Sequence, residues 1–396
     1  MRMLSYSRLL RPRSGHAPAR YIHDRAFGET YRLFSGLYPD RALVFPRFLI
    51  NVPLYTPARR YASRGLFYTT TMSDSSSTST PNKLPECWGH RGASAAFPEN
   101  TLASFERAIR DGAEGIESDV HVSLDNVVVM FHDPTLDRTT NGTGNIRDQN
   151  WYGPNGMEYL RTTKEPQQPI PTFAQTVELL MKPENRHVTF NVDVKVFSEP
   201  TRLFTLMHET IAQQPDWQTA LAPRILLGLW HPRFLGPAQT ILPYCSRSFI
   251  GRSTAIGRQY FWDACGVFSI NFSALVSGEG QSFREECRKA GKKVMAWTVN
   301  EPAEMIECVR MGVDVILTDR TKVWLDLREE LKKDREGVMA RYGRSFLWTS
   351  PQYYLPMRKL WENMLQKLLV KYGGPLEGFE NAAPTSVEPA SAAAKA

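Results

Sequence analysis

The chain has little cysteine and no close cysteine pair. Its five cysteines, Cys87, Cys245, Cys265, Cys287 and Cys308, are odd in number and widely spaced, with no Cys-x-x-Cys. That spacing excludes the common zinc and dithiol motifs. It predicts reduced thiols packed in the core of an intracellular protein. A long apolar run is also missing. The stretch from Leu43 to Tyr55 is interrupted by Pro46, Arg47, Asn51 and Pro53, and falls short of the ~20 apolar residues that a spanning helix needs. Lysine is absent from residues 1–72, where 12 arginines face only Asp24, Glu29 and Asp40. This segment carries +9, the whole chain +7, and the remaining residues therefore −2. A body so close to neutral excludes a nucleic-acid surface, whose first requirement is a basic face. No short internal repeat is present.

What is there begins with the basic leader. Residues 1–72 are rich in arginine, contain serine and tyrosine and are poor in acids, the composition of a mitochondrial transit peptide. Arg59-Arg60-Tyr61-Ala62-Ser63 resembles a matrix-protease site cut after Tyr61. The expected location is the mitochondrion. Initiation at Met72 would instead leave the protein in the cytoplasm, the endoplasmic reticulum or on a lipid droplet surface. Residues 73–83 are a Ser/Thr-rich linker with little to bury.

Residues 84–330 alternate strand-like apolar runs with helical patterns. Eight strands are predicted: Glu86–His90, Gly115–Val120, Val188–Val194, Ile225–Leu229, Arg247–Ile250, Val267–Asn271, Val294–Thr298 and Val315–Thr318. Eight strands separated mostly by helices imply an α/β protein, a parallel TIM-type (β/α)8 barrel. An extra strand, Val127–Phe131, should pair with the second through a turn at Asp125-Asn126. The first helix is capped by Asn100 or Thr101, buries Leu102, Phe105 and Ile109, and stops at Gly112. Phe173–Met181, Gln281–Ala290 and Ala303–Met311 read similarly. Residues 331–372 form a C-terminal helical extension. A charged helix, Lys322–Arg341, leads into an amphipathic one bearing Leu360, Trp361, Met364, Leu365, Leu368, Leu369 and Tyr372 opposite Arg358, Lys359, Glu362, Gln366, Lys367 and Lys371. That helix either packs on its own domain or lies in a membrane interface through 353–372. The tail, 373–396, is Pro/Ala/Glu-rich and expected to be disordered, like the leader.

Chemistry concentrates in a few motifs. His90-Arg91-Gly92 precedes Glu117-Ser118-Asp119 and His132-Asp133-Pro134. Histidines move protons near neutral pH. Glu117 and Asp119 are two apart, so on a strand they share a face and repel unless a cation sits between them. Hard oxygen ligands suit one divalent cation, Mg²⁺ or Ca²⁺. Arg91 can fork two phosphate oxygens. Lys195 shares a face with Asp193 and is either its ion-pair partner or a phosphate contact. His90, Glu117, Asp119, Asp193, Lys195, Trp297 and Asn300 fall at or near strand C-terminal ends, where a barrel of this type carries its active site.

The blocks Cys87-Trp88-Gly89-His90-Arg91-Gly92-Ala93, Pro98-Glu99-Asn100-Thr101, Glu117-Ser118-Asp119-Val120, His132-Asp133-Pro134 and Asp137-Arg138-Thr139-Thr140-Asn141-Gly142-Thr143-Gly144 resemble the glycerophosphodiester phosphodiesterase family in type, order and spacing. Asn191-Val192-Asp193-Val194-Lys195 and Trp297-Thr298-Val299-Asn300 extend the resemblance. Asp193 departs from the pattern, since many members carry Glu there, yet it still offers a carboxylate. Leu227-Gly228-Leu229-Trp230 and the Asp-x-Lys form look closest to a fungal branch of phosphatidylglycerol-specific phospholipases C. The resemblance implies a barrel with His90 and His132 as catalytic pair and Glu117, Asp119 and Asp193 as metal ligands. Arg91 and Lys195 would hold the phosphate. Trp297, Glu99 and Asn300 are further substrate contacts, with His231 as a neighbour of the site. The implied reaction is metal-dependent hydrolysis of phosphatidylglycerol to diacylglycerol and glycerol 3-phosphate. The alternatives are hydrolysis of deacylated glycerophosphodiesters, and a silent barrel that only binds lipid or protein.

Overall fold

The computed structural model describes residues 83–379. The leader 1–72, nearly all of the linker and the tail beyond Phe379 lie outside the described residues. Helices of seven or more residues are numbered below. The order is β1 (Glu86–His90), α1 (Leu102–Asp111), β2 (Gly115–Val122), β3 (Val128–Met130), α2 (Phe173–Met181), β4 (Thr189–Val194), α3 (Pro200–Ala212), β5 (Ile225–Leu229), α4 (Leu235–Ile241), β6 (Ser246–Gly251), β7 (Val267–Asn271), α5 (Gly278–Lys289), β8 (Lys293–Trp297), α6 (Pro302–Met311), β9 (Val315–Thr318), α7 (Thr321–Lys333), α8 (Arg335–Arg341) and α9 (Leu355–Gly373).

Eight strands form a closed parallel barrel, because β1 pairs with both β9 and β2. The strands are short, apolar and nearly wholly buried, as expected for a sheet covered by helices outside and filled by side chains inside. β2 runs past the barrel edge, and its last residues, Val120 to Val122, pair antiparallel with β3. The turn between them places Asn126 at φ 67°, the left-handed region that asparagine tolerates. Thr101 caps α1 and Gly112 closes it at φ 104°. All five cysteines are free and buried. Burial pushes the Cys245 and Cys265 thiols up to about 12, so they are inert packing groups.

Two expectations are corrected. The charged segment 322–341 is not one helix. It breaks at Asp334, whose backbone leaves the helical region (φ −144°, ψ 82°) and whose side chain accepts from Gly337 N at 2.9 Å to start α8. Asp competes with the helix for its own backbone and favours a cap. The tail also does not leave the fold at Gly373. Leu376 is buried, and His231 donates from Nε2 to Gly374 O at 3.1 Å. Gly373 lies so close that a Cβ there would stand 2.3 Å from His231 Cδ2. Among the described residues no helix is long and apolar enough to cross a membrane.

The amphipathic helix is α9, and its apolar stripe faces the protein. Leu369 is buried, Trp361 stacks on Arg252 at 5.9 Å, and Tyr372 meets Phe197 edge-on at 4.9 Å. Trp361 and Leu369 are therefore packing groups and not an acyl-facing surface, whereas Leu360, expected on the same apolar face, is exposed. The exposed side carries Lys359, Leu360, Lys367, Val370 and Lys371.

Candidate active site

Parallel register assembles the site at the C-terminal ends of the strands. His90 on β1 lies level with Glu117 on β2, and Asp119 on β2 lies level with Asp193 on β4. Alternation turns Glu117, Asp119 and His121 to one face. Glu117, Asp119 and Asp193 are each buried and offer oxygens within 4.8 Å of one another. Asp119 is compensated: Lys195 Nζ lies 2.6 Å away, Arg91 Nε 3.6 Å, and Asn100 donates to it at 2.9 Å. Lys195 also donates to Asp193 at 2.8 Å, and the Trp230 indole donates to the other Asp193 oxygen at 2.7 Å. Lys195 thus sits as counter-charge between two carboxylates, the ion-pair alternative.

Glu117 is the carboxyl left without a cation on its side chain; it accepts from Arg91 N at 2.9 Å. Burial and the neighbouring Asp119 push it up to about 8. An all-oxygen donor set with one under-compensated member fits a hard divalent cation, held by Glu117, Asp119 and Asp193.

The backbone turn that presents Arg91 is sterically fixed. Arg91 and Gly92 both have positive φ, 57° and 79°. A Cβ on Gly92 would stand 2.4 Å from Ser104 Oγ, so only glycine fits. Arg91 Nη1 donates to Glu99 at 2.8 Å, while Arg91 Nε is buried and has no hydrogen-bond acceptor. Glu99 is shared with Arg138, which donates to both of its oxygens and to both oxygens of Asp133. Glu99 therefore anchors two arginines.

Each histidine is paired with an aspartate through Nδ1. His90 reaches Asp319 at 2.7 Å and His132 reaches Asp133 at 2.7 Å. The pairs are electrostatically unequal. Asp319 takes only neutral donors besides His90, namely Ser94 and Asn300. Burial opposes charge on His90, but Asp319 and the other acids outweigh it and raise its pKa. Burial, Arg91 and Lys195 push His132 down to about 4. Asn300 accepts from Thr318 and the Asp319 backbone, so it buttresses Asp319. Trp297 is a wall: its indole donates to Ser269 O at 2.9 Å, and its ring packs against Trp230 and under Arg252. His231 is fully buried and joins the tail, away from these bonds.

Sequence reading missed Asp319, Asp133, Arg138, Asn100 and His121. Asp319 follows the last barrel strand, and position alone could have drawn attention to it. Burial pushes His121 down to about 4, and its Nε2 donates to His132 O at 3.2 Å. A thermal-melt titration checks the cation site. Mg²⁺ or Ca²⁺ should raise the melting temperature of the wild type, by the equivalent of ~2.7 kcal/mol at a hundredfold excess over Kd. Glu117→Gln should abolish the shift. An unchanged shift in that variant would remove Glu117 from the ligand set.

The family model described as "Glycerophosphoryl diester phosphodiesterase family" matches residues 90–323. A glycerophosphodiester phosphodiesterase of Caldanaerobacter subterraneus is 27% identical over 252 residues, covering 60% of this chain and 95% of that one. Among solved structures, an Oleispira antarctica phosphodiesterase in complex with its product sn-glycerol-3-phosphate superposes with a TM-score of 0.52 at 24% identity, covering 61% of this chain and 96% of that one. A Silicibacter pomeroyi protein, a putative glycerophosphoryl diester phosphodiesterase by description, gives 0.53 at 18% identity, covering 62% and 94%. These two likenesses show the shared barrel fold. The chain belongs to the glycerophosphoryl diester phosphodiesterase family and is a phosphoric diester hydrolase.

Proposed function

We propose that this site hydrolyses glycerophosphodiesters to glycerol 3-phosphate and an alcohol. The observation that carries the reading is the buried Arg91 Nε, a donor without an acceptor, beside three clustered carboxylates. A phosphoryl oxygen supplies the acceptor it lacks. Glu117, Asp119 and Asp193 would hold a divalent cation, which when bound would supply Lewis-acid polarisation of the phosphoryl group. Arg91 stabilises charge as it builds on the equatorial oxygens, and Lys195 keeps the carboxylates compensated. His132, held neutral, accepts the proton of the attacking oxygen; attack by water gives glycerol 3-phosphate directly, whereas attack by the vicinal glycerol hydroxyl expels the alcohol to leave a cyclic phosphate, whose ring a water then opens to glycerol 3-phosphate with the two histidines exchanging roles. His90, held protonated by Asp319, donates to the leaving oxygen. Two titratable groups pushed apart by their surroundings thus divide the acid and base roles.

Phosphatidylglycerol is the second reading. It offers the same glycerol phosphate with a vicinal diol, and diacylglycerol would leave. The exposed lysines of α9, with Leu360 and Val370 between them, favour action at an anionic lipid surface. The Arg-rich leader supports mitochondrial delivery.

The direct experiment offers the purified protein glycerophosphocholine, glycerophosphoinositol and phosphatidylglycerol in parallel, with and without EDTA. Glycerol 3-phosphate should form from the soluble diesters and vanish with EDTA; full turnover in chelator sinks the mechanism. Turnover of phosphatidylglycerol alone would promote the second reading.

The acid and base roles are tested by pH profiles of kcat/KM. Asp319→Asn removes the charge that raises the His90 pKa, so the alkaline limb should move to lower pH. Arg138→Gln frees the Asp133 charge to act on His132, so the acid limb should move to higher pH. Unmoved limbs with uniformly lower rates would leave both residues as structural supports only. A fusion of residues 1–72 to a fluorescent protein should enter mitochondria; a diffuse cytosolic signal rejects that targeting.

A further inference from the structure

A groove outside the carboxylate cluster lies between the first turns of α9 and the start of α5. It has a volume of about 180 Å³, more than ten times the ~10–15 Å³ that admits one water. Arg252, Ser273, Ser277, Leu355, Arg358 and Lys359 line it, together with two carboxylates, Glu279 and Glu362. Arg252 also lies against Trp297, so the groove adjoins the wall of the active site.

The charges in this groove are unevenly matched. Glu362 lies 2.7 Å from Lys359, and Glu279 lies 3.8 Å from Arg258 and accepts from Thr254. Arg358 differs, because its Nε is shielded from solvent yet has no hydrogen-bond acceptor. A buried guanidinium N–H without an acceptor carries a desolvation cost that a bound anion removes. α5 opens on the same groove, with the Ser277 hydroxyl capping Gly280 N at 3.0 Å. Its 12 residues direct the positive end of their summed dipole there.

The rim identifies the occupant. Leu355 lines the groove and is 58% exposed, with Leu360 50% exposed on the same helix. Tyr354 and the 78% exposed Trp348 are joined by a hydrogen bond from the Tyr354 hydroxyl to the Trp348 carbonyl. Lys359, Lys367 and Lys371 are exposed along α9, and no acid is exposed on that helix. A phosphate-sized basic groove, an aromatic and leucine rim and a lysine face together match an anionic membrane surface. We propose that this groove binds the phosphate of an anionic phospholipid headgroup, with Leu355, Tyr354 and Trp348 at the acyl boundary. The catalytic site is then held at a membrane whichever diester it cleaves.

The test uses the full chain and phosphatidylcholine vesicles containing a minority of phosphatidate, which lacks the glycerol headgroup. Arg358→Glu should weaken vesicle retention about tenfold, the scale expected for reversing one basic side chain at an anionic surface. Arg358→Lys should retain most of it, and turnover of soluble glycerophosphocholine should stay within about twofold in both. Lys371→Glu makes the same charge change away from the groove and should cost clearly less. Equal losses for Lys371→Glu and Arg358→Glu would mean diffuse attraction and overturn the groove. Retention unchanged in Arg358→Glu also overturns it. If inorganic phosphate, followed by tryptophan fluorescence, binds the wild type but not Arg358→Glu while vesicle retention is equal, the occupant is soluble phosphate and the lipid assignment fails. A parallel loss of soluble turnover would assign Arg358 to the catalytic machinery instead. Vesicle retention is read without turnover, so its failure is separable from failure of the catalytic reading.

Discussion

Repulsion among buried carboxylates at one level of the barrel is the constraint around which the site is arranged. The parallel register brings Asp119 beside Asp193 and Glu117 beside His90. Two unit charges some 4–5 Å apart repel by roughly 3–4 kcal/mol at an effective dielectric of about 20. A fold stable by only ~5–15 kcal/mol cannot leave several such terms unopposed. Lys195, Arg91, Asn100 and Trp230 each direct a donor at this cluster. Their side chains come from the loops after β1, β4 and β5, so the barrel's closure and its charge balance depend on each other.

The two histidines show how one local motif acquires opposite properties. Both use Nδ1 to hold an aspartate at 2.7 Å. What differs is the surrounding charge, with Arg91 and Lys195 acting on His132, and the aspartate's other company. Asp133 is clamped by the Arg138 guanidinium, whereas Asp319 is held by a serine hydroxyl and an amide. A carboxylate already neutralised by arginine contributes little field to its histidine. The cation lies one residue beyond the pair, where an inspection limited to the histidines would not find it.

The barrel was legible because each strand is a short apolar run between turn or cap residues, and because periodicity separates such runs from the flanking helices. The first helix was readable to its caps, Thr101 and Gly112, since both act through local backbone geometry. The metal-ligand candidates were legible because a two-residue spacing fixes a shared face. Asp319 and Arg138 were not, because their roles depend on contacts with residues distant in sequence: Asp319 lies 229 positions from His90 and Arg138 lies 39 from Glu99. Lys195 and Glu99 were recognised as charged site residues, but which partner each would choose is a tertiary matter. The same holds for α9. Its pattern announces an apolar face without saying whether protein or lipid covers it, and Arg252 and Phe197 decide that question.

The segment from Tyr353 to Phe379 touches the loops or the first helical turns that follow five barrel strands. Tyr372 meets Phe197 after β4, Gly374 meets His231 after β5, and Trp361 meets Arg252 after β6. Lys359 lies 3.9 Å from Glu279 after β7, and the Tyr353 hydroxyl bonds Glu304 after β8. All five anchors precede this segment in the chain. During synthesis the sheet has every strand it needs to close once β9 emerges, while the strap across its rim is still to come. The order of translation therefore separates the making of the barrel from the finishing of its mouth.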